Sequence, residues 1–379
     1  MQLKKVAIIV GETSGDIIGA DLVNEMRSLK NNIHIYGVGG EKLSENGLKS
    51  FFPMDEISYI GPWEIILNIN KLRNLINKTV KSIVKLNPEI LIIIDCPEFS
   101  HRVAKKVKKI SSHIPIINYV SPTIWAWRKG RASNMRSYID HVLSIFPFEP
   151  ELYKKLNGPN CTYVGNPLSE KIMKNVKQYT QQDNDLDSIK LILMLGSRES
   201  EVNRLIEPCA KALDILLKKY ENLSVKIITF EKFKEVIIKG LKGKKINYEI
   251  VTDEQEKYKY ILNSDLAIVA SGSATLELAI ARLPMVVIYK TNIIFSIFRF
   301  FIKIHSIVLP NIIHKSNIIP ELYQLKCKGS FIAKEVIKII EKEEVRAKQL
   351  KMHDEVNDII FCKDLESKKE AARIISNYL

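Results

Sequence analysis

Unbroken apolar runs recur along the chain with amphipathic stretches between them. In the first half they are "KVAIIV" (5–10), "IHIYGV" (33–38), "EILIIID" (89–95), "IPIINYV" (114–120), "HVLSIF" (141–146) and "CTYVG" (161–165). Several are apolar at every position rather than at alternate ones, the pattern of parallel strands buried on both faces. Helical periodicity fills the gaps, as over Ile17–Leu29 and Leu72–Leu86. Repeated strand–helix order predicts a doubly wound α/β domain. The pattern stops at Ser169–Ser188, where "KQYTQQDNDLDS" is polar. It restarts with "KLILML" (190–195), "SVKIITF" (224–230), "NYEIV" (247–251), "LAIVAS" (266–271) and "MVVIY" (285–289). The expected organisation is an N-terminal Rossmann-like domain (1–168), a linker (169–188), a second Rossmann-like domain (189–345) and a C-terminal helical segment (346–379). Two such domains in tandem predict a cleft between the carboxyl ends of two sheets, where ligands of α/β proteins bind.

At 379 residues the chain is too long for one ordinary core, and 46% hydrophobic with 26% charged residues is a globular composition. Only five apolar residues follow "MQLKK" before a polar loop, too few for a signal peptide. The five cysteines are scattered without a CxxC, which points to reduced thiols in a cytoplasm. The histidines show no zinc spacing, and Asp183–Asp187 lacks the Gly and Glu of a calcium loop. Charge changes the picture more. A net +14 favours an anionic partner: nucleic acid, a membrane surface or a phosphorylated substrate. A lysine-rich coding bias would give the same charge with no partner.

The loops after the predicted strands hold the candidate chemistry. "VGETSGD" follows the first strand with Glu12, Ser14, Gly15 and Asp16. Backbone amides at a helix start suit an anion or a sugar hydroxyl, and the same residues also make a well-capped turn. "IDCPEFS" ends another strand with Asp95 and Glu98, where a carboxylate can act as general base; the alternative is an acidic helix cap. "YVSPTIWAWRKGR" (119–131) carries Trp125 and Trp127 followed by Arg128, Lys129 and Arg131, a set suited to sugars, acyl chains and phosphate. In the second half, "LGSRESE" places Arg198 near a helix start. "ASGSATLELA" offers the small residues Ser271, Gly272, Ser273 and Ala274, with Glu277 one turn further on, where a carboxylate can hold a ribose diol. This is neither a Walker A loop nor a GxGxxG fingerprint, so ATP and NAD are disfavoured.

Taken in order, "GETSGD", "IDCPEF", "YVSPTIWAWR", "FPFE" (Phe146–Glu149), "GSR", "SGSATLE" and "LPN" with "PELYQ" (Leu309–Gln324) resemble the lipid-A-disaccharide synthase family over most of the chain. The resemblance implies two Rossmann-like domains in the GT-B arrangement. It also implies an inverting transfer from a UDP-linked 2,3-diacylglucosamine donor to the 6-hydroxyl of 2,3-diacylglucosamine 1-phosphate. By that resemblance Asp95 is the base. Arg198 and the amides of Ser271, Gly272, Ser273 and Thr275 bind the diphosphate, Glu277 meets the ribose, and Asn311 is a nucleotide-site asparagine. Glu12, Ser14, Gly15 and Asp16 then help form the acceptor or sugar pocket. No Asp-x-Asp ends a strand of the second domain, so neither metal nor cofactor is expected. Family members can dimerise through their second domains, which makes a homodimer a candidate assembly. This chain departs from the family pattern at Asn166, where "GHP" is usual, at Leu195, where a proline is usual, and at His314–Asn317, where an Arg is lost and Lys315 is the nearby cation. Other UDP-sugar enzymes, such as the peptidoglycan N-acetylglucosaminyltransferase or a UDP-sugar 2-epimerase, share the architecture but not "YVSPTIWAWR" and "IDCPEF". A non-catalytic RNA- or membrane-binding role leaves both loop sets unexplained, and no RNA-binding signature is present, so no nucleic-acid partner is expected.

One stretch bears on location. "NIIFSIFRFFIKIHSIVL" (292–309) is only 18 residues long and is interrupted by Arg299, Lys303 and His305, so it is not expected to span a bilayer. As a helix it sets a narrow basic stripe against a wide aromatic face. Phe298, Arg299, Phe301 and Lys303 are the expected contacts with an anionic inner-membrane surface on its cytoplasmic face, and "YIGPWEIIL" (59–67) is a second candidate patch. The alternative is a helix buried between domains or subunits.

Overall fold

The computed structural model describes residues 3–30, 32–58, 69–125, 130–179, 188–253, 256–291, 306–361 and 366–379. They form two units, one of residues 1–167 with 361–379, the other of residues 168–360. The membrane-contact residues Phe298, Arg299, Phe301 and Lys303 lie outside the described residues, as do Trp127, Arg128, Lys129 and residues 59–67. Among the described residues no helix is long and apolar enough to cross a membrane.

In the first unit the strands are β1 (Lys4–Val10), β2 (Ile33–Val38), β3 (Lys49–Ser50), β4 (Ile90–Ile94), β5 (Ile116–Tyr119), β6 (His141–Ser144) and β7 (Asn160–Tyr163). They form one sheet in the order β3-β2-β1-β4-β5-β6-β7, and every pairing is parallel. Ile90 to Ile94 are buried without exception, as helices on both faces require. The helix Ile69–Leu86 shows the matching logic: Leu72, Leu75, Ile76, Thr79, Val80 and Ile83 are buried at spacings of three and four, which puts them on one stripe.

The second unit repeats the plan with β8 (Ile189–Met194), β9 (Leu223–Ile228), β10 (Tyr248–Val251), β11 (Leu266–Ala270), β12 (Met285–Tyr289) and β13 (Glu321–Tyr323), ordered β10-β9-β8-β11-β12-β13. Each sheet therefore starts in the middle and grows first to one side, then to the other. The reversal falls between β1 and β4 in one sheet and between β8 and β11 in the other. Val10 pairs with Ile94, and Met194 with Val269, so at each reversal two loops leave the carboxyl edge side by side.

Domain limits differ from the sequence reading in two places. Residues 169–178 of the expected linker 169–188 belong to helix Pro167–Gln178, where Ile172 and Ser169 bury one face of an otherwise polar segment; residues 180–187 lie outside the described residues. The expected C-terminal segment 346–379 divides. Helix Glu343–Ile360 stays with the second unit, where the buried Gln349 amide accepts from Met285 N (2.9 Å) and donates to Met285 O (3.2 Å). Helix Ser367–Ser376 belongs to the first unit. There Ala371, Ala372, Ile374 and Ile375 join the core beneath helix Thr13–Leu29, and Lys368 pairs with Glu25 at 3.0 Å. Strands β3 and β13, two and three residues long, are too short to register as apolar runs.

Ile375 is fully buried in that core. Ile375→Ala is expected to lower the unfolding free energy by roughly 2–5 kcal/mol, the range for truncating a buried aliphatic side chain. Denaturant titration measures it.

Candidate active site

At the first reversal the loop after β1 lies against the side chains of the loop after β4. A Cβ on Gly11 would sit 2.2 Å from Cys96 Cβ, and one on Gly15 would sit 2.6 Å from Asp95 Oδ2. Gly11 is thus required by the neighbouring loop, whereas a side chain at Gly15 would displace the Asp95 carboxylate. Asp95 and Cys96 in turn adopt left-handed backbone, φ 55° and 45°, a conformation that costs a non-glycine residue on the order of 1–3 kcal/mol. What holds them there is local. Ser100 Oγ donates to the carbonyls of Asp95 (2.8 Å) and Cys96 (3.0 Å), and Pro97 opens the helix Pro97–Ile110 at a position where its missing N–H is no loss.

The turn leaves the Asp95 carboxylate half-buried beside the first turn of helix Thr13–Leu29. Burial, followed by the negative charge of Glu12, pushes its pKa up to about 6. The group is still ionised at neutral pH, yet it is a much better proton acceptor than a solvated aspartate.

The other residues of "GETSGD" divide. Glu12 and Ser14 are exposed at the loop surface. Asp16 is not. Its buried carboxylate accepts from the backbone N–H groups of Gly40 (2.7 Å), Lys42 (2.8 Å) and Leu43 (3.3 Å), capping the helix Glu41–Glu45. Expected at a ligand, Asp16 instead clasps the loop after β2 to the first helix. A buried aspartate satisfied by three amides is a structural cap, which its place in a motif does not reveal. Glu149, to which the motif reading gave no role, is fully buried, accepts from Phe146 N at 3.1 Å, and has its pKa pushed to about 8 by burial. It fixes the loop after β6 beside Ser121 and Tyr153, whose hydroxyls lie 2.9 Å apart.

At the second reversal a cavity of about 590 Å³ opens over the carboxyl ends of β8, β9, β10 and β11. Arg198 lines it from the β8 loop with its side chain 76% exposed, and it pairs with Glu201 at 3.3 Å. Glu201 also accepts from Ser197 N (3.1 Å) and packs where a Cβ on Gly196 would stand, so this loop too requires its glycine, at φ 105°. Ser271, Gly272, Ser273 and Ala274 line the cavity from the β11 loop, and a Cβ on Gly272 would meet nothing within 4 Å. Glu277 reaches the same space. Its carboxylate accepts from Tyr258 OH at 2.6 Å and pairs with Lys257 Nζ at 2.7 Å. Lys257 and Tyr258 were missed from sequence because "KYKY" reads as an ordinary helix surface.

Two expected nucleotide contacts do not reach the cavity. Thr275 uses its N–H (3.1 Å) and its hydroxyl (2.8 Å) on Gly272 O, bracing the turn. Asn311 is buried, donating to Ile319 O (3.0 Å) and Glu321 Oε1 (2.9 Å) and accepting from Ile319 N (3.0 Å). It ties helix Leu309–His314 to β13. His314 lies 2.8 Å from Ser316 Oγ and 2.5 Å from Glu355, so that departure from the family pattern is absorbed locally.

Two Rossmann-like units, each with a paired loop set at its sheet reversal and, in the second, an open turn at Gly272 over the cavity, define a GT-B-type fold. Among solved structures, a UDP-GlcNAc 2-epimerase from Neisseria meningitidis bound to UDP-GlcNAc superposes with a TM-score of 0.63 at 13% identity over 98% of both chains, a likeness of fold alone. The family model for lipid-A-disaccharide synthetase matches residues 6–375, and the chain belongs to that family. The lipid-A-disaccharide synthase of Nitrobacter winogradskyi is 34% identical over 375 residues, 98% of this chain and 95% of its own. That of Rhodopseudomonas palustris is 34% identical over 380 residues, 100% of this chain and 97% of its own.

The raised pKa of Asp95 has a stability consequence. Below the ordinary value of 3.8 the carboxyl is protonated in folded and unfolded chains alike. Between 3.8 and about 6 the unfolded chain releases a proton that the folded protein keeps, so stability falls as pH rises. Asp95→Asn, neutral throughout, should therefore match the wild type in acid and exceed it by roughly 1–3 kcal/mol above pH ~7. Paired denaturation curves across that range check it.

Proposed function

We propose that the protein joins UDP-2,3-diacylglucosamine to 2,3-diacylglucosamine 1-phosphate, giving the β-1,6-linked disaccharide 1-phosphate and UDP. The observation that carries this reading is the Asp95 carboxylate, held in strained backbone at the sheet reversal, ionised at neutral pH and basic for its type. In a single displacement the acceptor 6-oxygen attacks C1 of the donor sugar. Its proton passes to Asp95, the bond from C1 to the diphosphate oxygen breaks, and the electron pair leaves with UDP. Attack from the face opposite the leaving group converts an α donor linkage into a β product.

The cavity of the second unit suits the nucleotide. Amides at the start of helix Ser273–Ile280 and the guanidinium of Arg198 would take the diphosphate and stabilise the charge it gains on departure. Glu277, oriented by Lys257 and Tyr258, is set to accept from ribose hydroxyls. With a +14 charge and lipid substrates, the chain is read as attaching peripherally to the anionic cytoplasmic face of the inner membrane, residues 292–309 supplying the aromatic and basic contact.

The test is acceptor-dependent UDP release, with unacylated glucosamine 1-phosphate as control. Asp95→Asn should lose on the order of 10²–10⁴-fold in turnover while binding UDP as the wild type does. Arg198→Ala should weaken UDP by about 1–3 kcal/mol in calorimetric titration. Wild-type turnover in folded Asp95→Asn removes Asp95 from the chemistry. Equal release with the unacylated control removes the lipid acceptor.

A further inference from the structure

The helix Pro97–Ile110 begins two residues after Asp95, and its exposed side carries an unusual density of cations. On one flank, Glu98, His101, Arg102 and Lys105 face Arg131 and Tyr138 across a hollow of about 510 Å³. Glu98 ties the two guanidiniums together, at 2.9 Å from Arg131 and 3.3 Å from Arg102. His101, hydrogen-bonded to Tyr138 OH at 3.1 Å, is kept neutral by burial and by the charge of Arg131. On the other flank, Arg102 and Lys105 also line a second hollow of about 320 Å³. Its floor is Ile69, Leu72 and Ile76 of helix Ile69–Leu86, and its rim adds Arg73 and Lys106. Around the two hollows five cations face a single carboxylate, and Ile69 stands 56% exposed among them.

A merely solvated basic face would not need an acid that holds guanidiniums from two separate helices in fixed positions, nor an apolar floor beside them. A ligand that is both anionic and acylated needs the two together: charge-assisted donors for its phosphate and an apolar strip for the first part of its chains. Pro97, two residues after Asp95, itself lines the first hollow, so the cations gather beside the turn that carries the carboxylate. We propose that Arg102 and Lys105, with Arg131 held by Glu98, form the subsite for the phosphate of the acylated acceptor, the adjoining apolar hollow receiving acyl chain. The proposal rests on the glycosyl-transfer reading above and adds where the acceptor's anionic end is held.

The test uses full-length protein in detergent micelles and two acceptors, 2,3-diacylglucosamine with and without its 1-phosphate. Arg102→Gln/Lys105→Gln changes two exposed side chains, so the fold should survive. Its KM for the phosphorylated acceptor should rise about tenfold or more, as loss of charge-assisted bonds implies. Its kcat, its donor KM and its KM for the dephosphorylated acceptor should stay near wild type. A rise shared by both acceptors, or an undiminished preference for the phosphate, overturns the assignment. So does a variant that keeps the preference and loses only flotation with phosphatidylglycerol vesicles, since the cations would then serve the bilayer. If the wild type releases no UDP with either acceptor, glycosyl transfer itself fails. Equilibrium binding of the two acceptors, followed by tryptophan fluorescence, then decides the subsite by itself: discrimination by wild type that the variant lacks supports it, and none overturns it.

Discussion

The lack of a side chain at Gly11 and Gly15, where the β1 loop meets the β4 loop, is the constraint on which the rest of the first unit depends. Gly11 lets Cys96 approach, and Gly15 lets the Asp95 carboxylate lie against a helix start. Because Val10 and Ile94 are paired in register, the loops have no other way to leave the sheet than side by side. The left-handed turn at Asp95 and Cys96 is the result. The strain is offset by the Ser100 bonds and by burial of Ile90–Ile94 just upstream. An ionised carboxylate in this half-buried position is destabilising, and the same burial raises its pKa.

The second unit solves the same topological problem with different chemistry. There the glycine at 196 admits Glu201, and the cavity side is left open at Gly272. Rather than a desolvated lone carboxylate, this site holds Glu277 with a lysine and a tyrosine at hydrogen-bond distance. On the proposed reading the two sites divide the labour: proton transfer needs a perturbed acid, whereas holding a nucleotide needs oriented, compensated charge. The Pro97–Ile110 helix extends the first arrangement, since the turn that sets Asp95 also sets the direction of Arg102 and Lys105.

Much of this was legible from sequence because buried parallel strands are apolar at every position, so their ends, and the loops after them, could be counted. Asp95, Arg198, Gly272 and Glu277 are placed just beyond strand ends by that counting, which is where the structure has them. What escaped was direction. Asp16 and Asn311 sit inside motifs yet turn inward to satisfy backbone groups, and Thr275 bonds its own turn. Lys257, Tyr258 and Glu149 carry no local pattern, because their partners are distant in sequence and meet only through the sheet order. The chain's return to the first unit at Ser367–Ser376 was equally hidden: an amphipathic helix does not say which core it covers.

On the proposed reading, packing at the first sheet reversal makes Asp95 a general base. The pH dependence of kcat/KM for UDP release reads it directly. The expected profile has an ascending limb of unit slope with its midpoint near 6, abolished in Asp95→Asn. A wild-type profile that is flat through that region, or one that Asp95→Asn reproduces, would contradict it.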